Sequence, residues 1–225
     1  MGFKLAVFDM AGTTVADQDA VARAFRSAFE NFGVEISVPE IKPLMGYKKT
    51  LAIETVLRNH GRETDEYIIE AVHNDFVGEM ISYYAYDHAV QPMDGAEDVF
   101  MICRKMGIRI ALNTGFPKVI ADTIINRFGW RENGIIDDYI ASDEVEKGRP
   151  FPYMIHELMK RAALTDAKQV LKAGDTEVDV NEGRAAGCGL VVAVTTGAFT
   201  RHQLEPYHPD FIIDSLLALP AIINH

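Results

Sequence analysis

Short apolar runs, each ending beside glycine and small polar residues, recur along the chain and predict buried strands. Residues 3–8 are apolar apart from Lys4 and lead into Asp9, Gly12, Thr13 and Thr14. Residues 108–113 lead into Thr114 and Gly115, residues 170–173 into Gly174 and Asp175, and residues 190–194 into Thr195, Thr196 and Gly197. Helical patterns lie between these runs. Strands alternating with helices predict crossover units and a parallel sheet. In such sheets ligands bind at the carboxyl ends of the strands. Asp9, Thr114 and Asp175 each lie just past a predicted strand, so three loops far apart in sequence are expected to converge on one crevice.

From about Asp17 to His88 the pattern changes. Apolar positions follow helical spacing at Val21, Ala24, Phe25, Ala28, Phe29 and Phe32, again from Leu51 to Leu57, and again from Ile68 to Met80. No strand–glycine unit interrupts them, and Pro92, Asp94 and Gly95 mark the return to the sheet pattern. The expected division is a core of residues 1–15 plus 90–225 and a helical insertion of residues 16–89.

The chain has 225 residues and is 48% hydrophobic, enough to bury a core. Its net charge of −11 argues against nucleic acid or an anionic membrane surface as partner, because both reward basic patches. A small anionic ligand is still compatible, given a local cation. Cys103 and Cys188 sit far apart in apolar sequence and read as reduced core thiols. No apolar run approaches the ~20 residues of a membrane span, and no leader-like segment precedes the first predicted strand, so a cytoplasmic protein is expected.

The strand ends carry the candidate chemistry. Asp9 could be a nucleophile or a metal ligand, with Gly12 and Thr13 supplying N–H groups and a hydroxyl to phosphate oxygens. Taken alone it could equally be a turn aspartate. Thr114 and Gly115 could form an anion site at a helix start, or Thr114 could simply cap that helix. Arg149 could fork onto a phosphate, pin a phosphorylated carboxylate, or sit on the surface before Pro150. Asp175 and Asp179 suit a Mg²⁺ site, or acids favoured by a helix start.

In this order the four segments resemble the haloacid dehalogenase superfamily of hydrolases, over essentially the whole chain. The resemblance implies an α/β fold, a Rossmann-like parallel sheet whose inserted helices form a cap. It implies Asp9 as the nucleophile and Thr114 on the transferred phosphoryl group. It also implies Mg²⁺ held by Asp9, Asp175 and the Ala11 carbonyl, with Asp179 close behind. Most phosphatases of the superfamily carry a general acid, an Asp, two residues after the nucleophile. Here that place is Ala11, and losing such an acid costs roughly 10²–10⁴ in rate.

Asp9-Met10-Ala11-Gly12-Thr13-Thr14, with Arg149 where most members have Lys, resembles the phosphonoacetaldehyde hydrolases. Those enzymes cleave a carbon–phosphorus bond through a cap lysine that forms a Schiff base. A Met-Gly pair precedes that lysine, and Met45-Gly46 here points to Lys49, with Met45 against the substrate. Lys48 is expected to lower the Lys49 pKa by like-charge repulsion. Two positions depart from the family. Ala52 replaces a histidine one turn after the lysine, His60 being too far on, and Phe116 replaces a tyrosine. The implied substrate is a small anionic 2-oxo-alkylphosphonate, phosphonoacetaldehyde or a relative. The alternatives are a phosphoglycolate phosphatase-like phosphomonoesterase acting on a small phosphate ester, and a binding protein on an inactive scaffold. Relatives often pair through the cap, which implies a homodimer.

Overall fold

A computed structural model describes residues 2–224. Six strands, β1 (Leu5–Asp9), β2 (Arg109–Thr114), β3 (Asp138–Ala141), β4 (Val170–Gly174), β5 (Leu190–Val194) and β6 (Phe211–Ile213), form one sheet in the order β3-β2-β1-β4-β5-β6. Every pairing is parallel. The chain builds outward from β1 in one direction and then the other, so the topological switch lies beside β1, where this class of sheet opens a crevice. Register places Asp9 opposite Asn113 on one side, and Phe8 opposite Ala173 on the other. Asp9 and Asp175 therefore leave neighbouring strand ends.

Four helices follow β1: α1 (Ala20–Glu30), the short α2 (Val38–Ile41), α3 (Lys49–Asn59) and α4 (Glu66–Tyr86). The core helices are α5 (Ala96–Lys105), α6 (Lys118–Phe128), α7 (Tyr153–Arg161) and α8 (Glu177–Ala186), with short α9 (Arg201–Leu204) and α10 (Leu219–Ile223) near the end. Both faces of the sheet are buried, which explains why its inner strands read as continuous apolar runs. Phe8, Ile110, Leu112 and Val192 pack with α5, α6 and the inserted helices. Leu5, Val7, Ala111 and Val191 point the other way, onto α7 and α8.

The inserted helices join the core through two strands of backbone. Ala16 N–H donates to the Gln91 carbonyl at 3.1 Å, and Met93 N–H donates to the Thr14 carbonyl at 2.8 Å. An aromatic seam then crosses from the insertion to the core: Phe25 lies 4.5 Å from Phe76, and Tyr84 lies 5.9 Å from Phe116. Cys103 and Cys188 are buried and unpaired, as expected. No described helix is long and apolar enough to cross a membrane. Sequence periodicity found four of the six strands. The two it missed, β3 and β6, are edge strands of four and three residues. An edge strand needs no long apolar run, because only part of it is covered.

Candidate active site

The loop after β1 turns back on itself. Gly12 N–H donates to the Val15 carbonyl at 2.8 Å, and Thr13 N–H to the Met10 carbonyl at 3.2 Å. Gly12 has φ +86°, and a Cβ there would stand 2.7 Å from Asp175 Oδ2. Glycine is thus what lets this loop and the Asp175 loop meet. The geometry corrects two expectations. Both N–H groups expected to face a phosphate are spent inside the loop. The Thr13 side chain is fully buried and donates to Asp175 Oδ1 at 3.2 Å, so it steadies that carboxylate.

Asp9, Asp175 and Asp179 offer carboxylate oxygens that all lie within 4.8 Å of one another, so the three could hold a metal ion. Burial raises the Asp9 and Asp175 pKa values, and for Asp175 the charges of Asp9 and Asp179 push further the same way. A cation there would relieve the repulsion. Asp179 differs from the other two. Burial opposes its ionisation, but Arg149, Lys172 and the Thr176 hydroxyl hold its pKa low. One of its oxygens accepts from Thr176 Oγ1 at 2.6 Å, and the other lies 2.9 Å from Lys172 Nζ. Both its oxygens thus face protein groups, Oδ2 through hydrogen bonds and Oδ1 through ion pairs alone. By contrast, the Ala11 carbonyl accepts no hydrogen bond among the described residues, and Ala11 faces the cavity.

Arg149 is fully buried behind Asp9. Nη1 donates to Asp9 Oδ1 at 2.6 Å, Nη2 to Asn113 Oδ1 at 2.7 Å, and Nε to Glu182 Oε2 at 3.2 Å. Of the roles left open for Arg149, the fork onto a phosphate and the surface position are corrected to a hold on the Asp9 carboxylate, because all sides of its fork meet protein. Lys172, a lysine in the middle of β4, donates to Asn113 Oδ1 at 2.7 Å and joins the same network.

In front of Asp9 lies a small cavity of about 40 Å³. At ~10–15 Å³ per water, it suits a solute of a few heavy atoms. Asp9, Ala11, Gly12 and Asp175 line it from the first and fourth strand ends, Thr114 and Gly115 from β2. Met45 and Lys49 close it from the insertion. Thr114 Oγ accepts from the Phe116 N–H at 3.1 Å, leaving its own proton free to donate. Lys49 is 3% exposed, and its Nζ donates to the Tyr47 carbonyl at 3.3 Å. The amine sits 5.1 Å from the Phe116 ring centre and 5.6 Å from that of Phe25. It makes no ion pair among the described residues. Burial pushes its pKa down to about 8; Asp9 opposes this and Arg149 adds to it. Lys48 is not among the charges responsible, contrary to expectation.

A family profile described as haloacid dehalogenase-like hydrolase matches residues 3–187. The chain belongs to the haloacid dehalogenase-like hydrolases. Within this family it is 33% identical to a phosphonoacetaldehyde hydrolase from Paraburkholderia phytofirmans, over 87% of this chain and 77% of that one. It is 28% identical to a phosphonoacetaldehyde hydrolase from Pseudomonas putida, over 97% of this chain and 90% of the relative. A solved phosphonoacetaldehyde hydrolase-like protein from Oleispira antarctica shares the fold with TM-score 0.88 at 22% identity, covering 100% of this chain and 92% of that one.

Sequence reasoning missed several parts of this haloacid dehalogenase-like hydrolase site. Lys172 and Glu182 were not singled out, although a lysine inside an apolar strand run was a visible sign. Asp17, which lines the cavity, sits in an acidic stretch before α1 that reads as an ordinary helix start. Asn113 was given no part in the site, whereas its amide donates to both Glu182 oxygens, at 2.9 and 2.8 Å.

Proposed function

We propose that this hydrolase cleaves the carbon–phosphorus bond of a small 2-oxo-alkylphosphonate, phosphonoacetaldehyde or a relative, with Asp9 as nucleophile, Lys49 as Schiff-base amine and Mg²⁺ as cofactor. The observation that carries this reading is the state of Lys49. A buried amine with no carboxylate partner among the described residues and a pKa of about 8 shares one small cavity with Asp9 and Asp175. A lysine kept only for structure would be expected to pair its charge. An amine that must attack a carbonyl needs its neutral form near physiological pH.

The metal fits the donors available: Asp9, Asp175 and the free Ala11 carbonyl, with Asp179 behind them. When bound there, Mg²⁺ would neutralise phosphonate oxygens as a Lewis acid. The chain's own groups do the rest. Lys49 condenses with the carbonyl, and the resulting iminium becomes the electron sink. Arg149 fixes Asp9 Oδ1, which leaves its other oxygen free to attack phosphorus. The Thr114 hydroxyl donates to a phosphoryl oxygen. As the phosphoryl group passes to Asp9, the carbon leaves as an enamine on Lys49, which needs no acid at Ala11. Residues 16–89 act as a cap that brings Lys49 to the core and excludes water.

Borohydride added during turnover of phosphonoacetaldehyde is expected to leave a covalent adduct on Lys49, and Lys49→Ala to lose phosphate release from carbonyl phosphonates. Phosphate release from phosphate esters, indifferent to Lys49, would instead make the chain a phosphomonoesterase.

A further inference from the structure

Four ionisable side chains line the cavity: Asp9, Asp17, Lys49 and Asp175. The reading above, on which this inference rests, gives three of them work. Asp17 is the fourth. It follows Ala16, where the chain leaves the core, and it is held rather than loose. Its Oδ1 accepts from the Val21 N–H at 3.2 Å, and its carbonyl accepts from the Tyr83 hydroxyl at 3.4 Å. Its Oδ2 has no hydrogen-bond partner among the described residues. The next two residues, Gln18 and Asp19, both have left-handed backbone, φ 46° and 60°. Side chains rarely tolerate this, so the turn presenting Asp17 is strained. Asp17 and Lys49 each feel the other's charge, and burial raises the Asp17 pKa, so the carboxyl keeps its proton to higher pH than usual.

Schiff-base formation needs an acid of this kind. Once the amine has added to the carbonyl, the carbinolamine must lose oxygen, and hydroxide is a poor leaving group unless protonated. Asp9 and Asp175 are committed to phosphorus and metal. Lys49 is the reacting amine, and the Thr176 hydroxyl already donates to Asp179.

We infer that Asp17 is the general acid–base of the Lys49 Schiff base, lining the same cavity as Ala11 and Lys49. Neutral Lys49 adds to the carbonyl carbon, and a proton moves from nitrogen to oxygen. The carbon–oxygen bond then breaks as the Asp17 carboxylic acid protonates the departing hydroxyl. Water leaves, and an iminium on Lys49 remains beside an Asp17 carboxylate. After the enamine takes a proton from solvent at carbon and becomes an iminium again, that carboxylate takes a proton from the attacking water, whose hydroxyl adds to the iminium carbon, and returns to the acid. A second cavity, about 250 Å³, adjoins the first and shares Asp17, Met45 and Ala198 with it. It gives that water a route.

The test traps the adduct with borohydride and times it by mass spectrometry, using phosphonoacetaldehyde. Asp17→Asn keeps an oxygen for the Val21 N–H. It is expected to form the Lys49 adduct roughly 10²–10⁴-fold more slowly than the wild type. Asp17→Ser, which also offers an acceptor there, stands in if Asp17→Asn does not fold. Asp17→Ala should regain rate as formate buffer is added at mildly acidic pH, because formic acid, small and neutral, can enter through the second cavity. Adduct formation at the wild-type rate in Asp17→Asn overturns the assignment, and so does a slow Asp17→Ala that formate never restores. Absence of an adduct in the wild type itself sinks the Schiff-base reading, and this inference with it.

Discussion

The guanidinium of Arg149 holds Asp9 Oδ1 at 2.6 Å across 140 positions of sequence. The same guanidinium touches Asn113 and Glu182 and lies 3.1 Å from Asp179 Oδ1. One planar cation therefore compensates three buried carboxylates, with Lys172 assisting at Asp179 and Glu182.

Removing that cation strands the carboxylates. Arg149→Met is expected to lose about 3–5 kcal/mol in urea unfolding, the usual result of breaking a buried ion pair from one side. Arg149→Lys keeps the charge, but an ammonium cannot reach Asp9, Asn113 and Glu182 at once. It should fold and release phosphate about 10²-fold more slowly, the scale of a small misplacement of a reacting group. Wild-type turnover in Arg149→Lys would show that Asp9 needs no such clamp.

Lys49 should trade stability for reactivity. Its folded pKa of about 8 lies below its ordinary 10.5, so at pH 7 it is charged in both folded and unfolded chains, and the fold bears the penalty of the buried charge. That penalty is on the order of 3 kcal/mol at 1.36 kcal/mol per unit. Between about pH 8 and 10.5 the unfolded chain binds the extra proton, so stability rises with pH there and the penalty fades. Lys49→Met, packed against Phe25 and Phe116, is therefore expected to melt higher than the wild type at pH 7. The gap should shrink above pH 8, while activity on carbonyl phosphonates disappears. In the wild type, borohydride trapping should pass through a maximum with pH, because the neutral amine of Lys49 is lost below about pH 8 and the protonated carboxyl of Asp17 is lost as pH rises. An unchanged melting temperature in Lys49→Met would mean that the amine carries no such cost.

Much of this site was readable before any coordinates. Asp9, Thr114 and Asp175 follow strand runs that announce their positions, because buried strands are apolar and short and their ends are marked by glycine. Lys49 was readable only through the Met45-Gly46 spacing; its burial depends on Phe25 and Phe116, which reach it from other elements. Arg149 was found, but its role was left open between a phosphate, a carboxylate and the surface. Nothing in Gly148-Arg149-Pro150 says that its fork would be filled by Asn113 and Glu182, residues of β2 and α8. Thr13 failed in the same way, since only the folded loop brings its hydroxyl to Asp175. Local sequence reports where a strand ends. It does not report which partner a long side chain meets in three dimensions.

The seat of the insertion on the core is a close one. A Cβ on Gly115 would stand 2.6 Å from the Tyr47 carbonyl oxygen, and the carbonyl of Gly46 is nearer still. Both are backbone atoms, which cannot rotate away as a side chain could. Gly115→Ala should therefore push the 45–49 segment outward and carry Lys49 with it. Adduct formation on Lys49 is expected to fall about 10²-fold, with an overpacking cost of about 1–3 kcal/mol. Unaltered trapping kinetics would mean that the segment does not rest on Gly115 when the reaction occurs.

Asp175 should behave oppositely with and without metal. Its pKa is raised well above 3.8 by burial and by Asp9 and Asp179, so the folded chain holds a proton that the unfolded chain has already lost. Metal-free stability from this group is accordingly present below about pH 3.8 and is lost as pH rises through its folded value. Asp175→Asn removes the like charge, so without metal at neutral pH it is expected to be more stable than the wild type. Mg²⁺ reverses the ranking. At a hundred times its dissociation constant, a ligand bound only by the folded state adds about 2.7 kcal/mol. Wild-type protein should gain that increment in a magnesium titration followed by thermal melting, and Asp175→Asn should gain almost none. A crossing of the two melting curves with rising Mg²⁺ is the expected signature. If Asp175→Asn tracks the wild type at every concentration, the ion does not sit between the Asp9 and Asp175 loops.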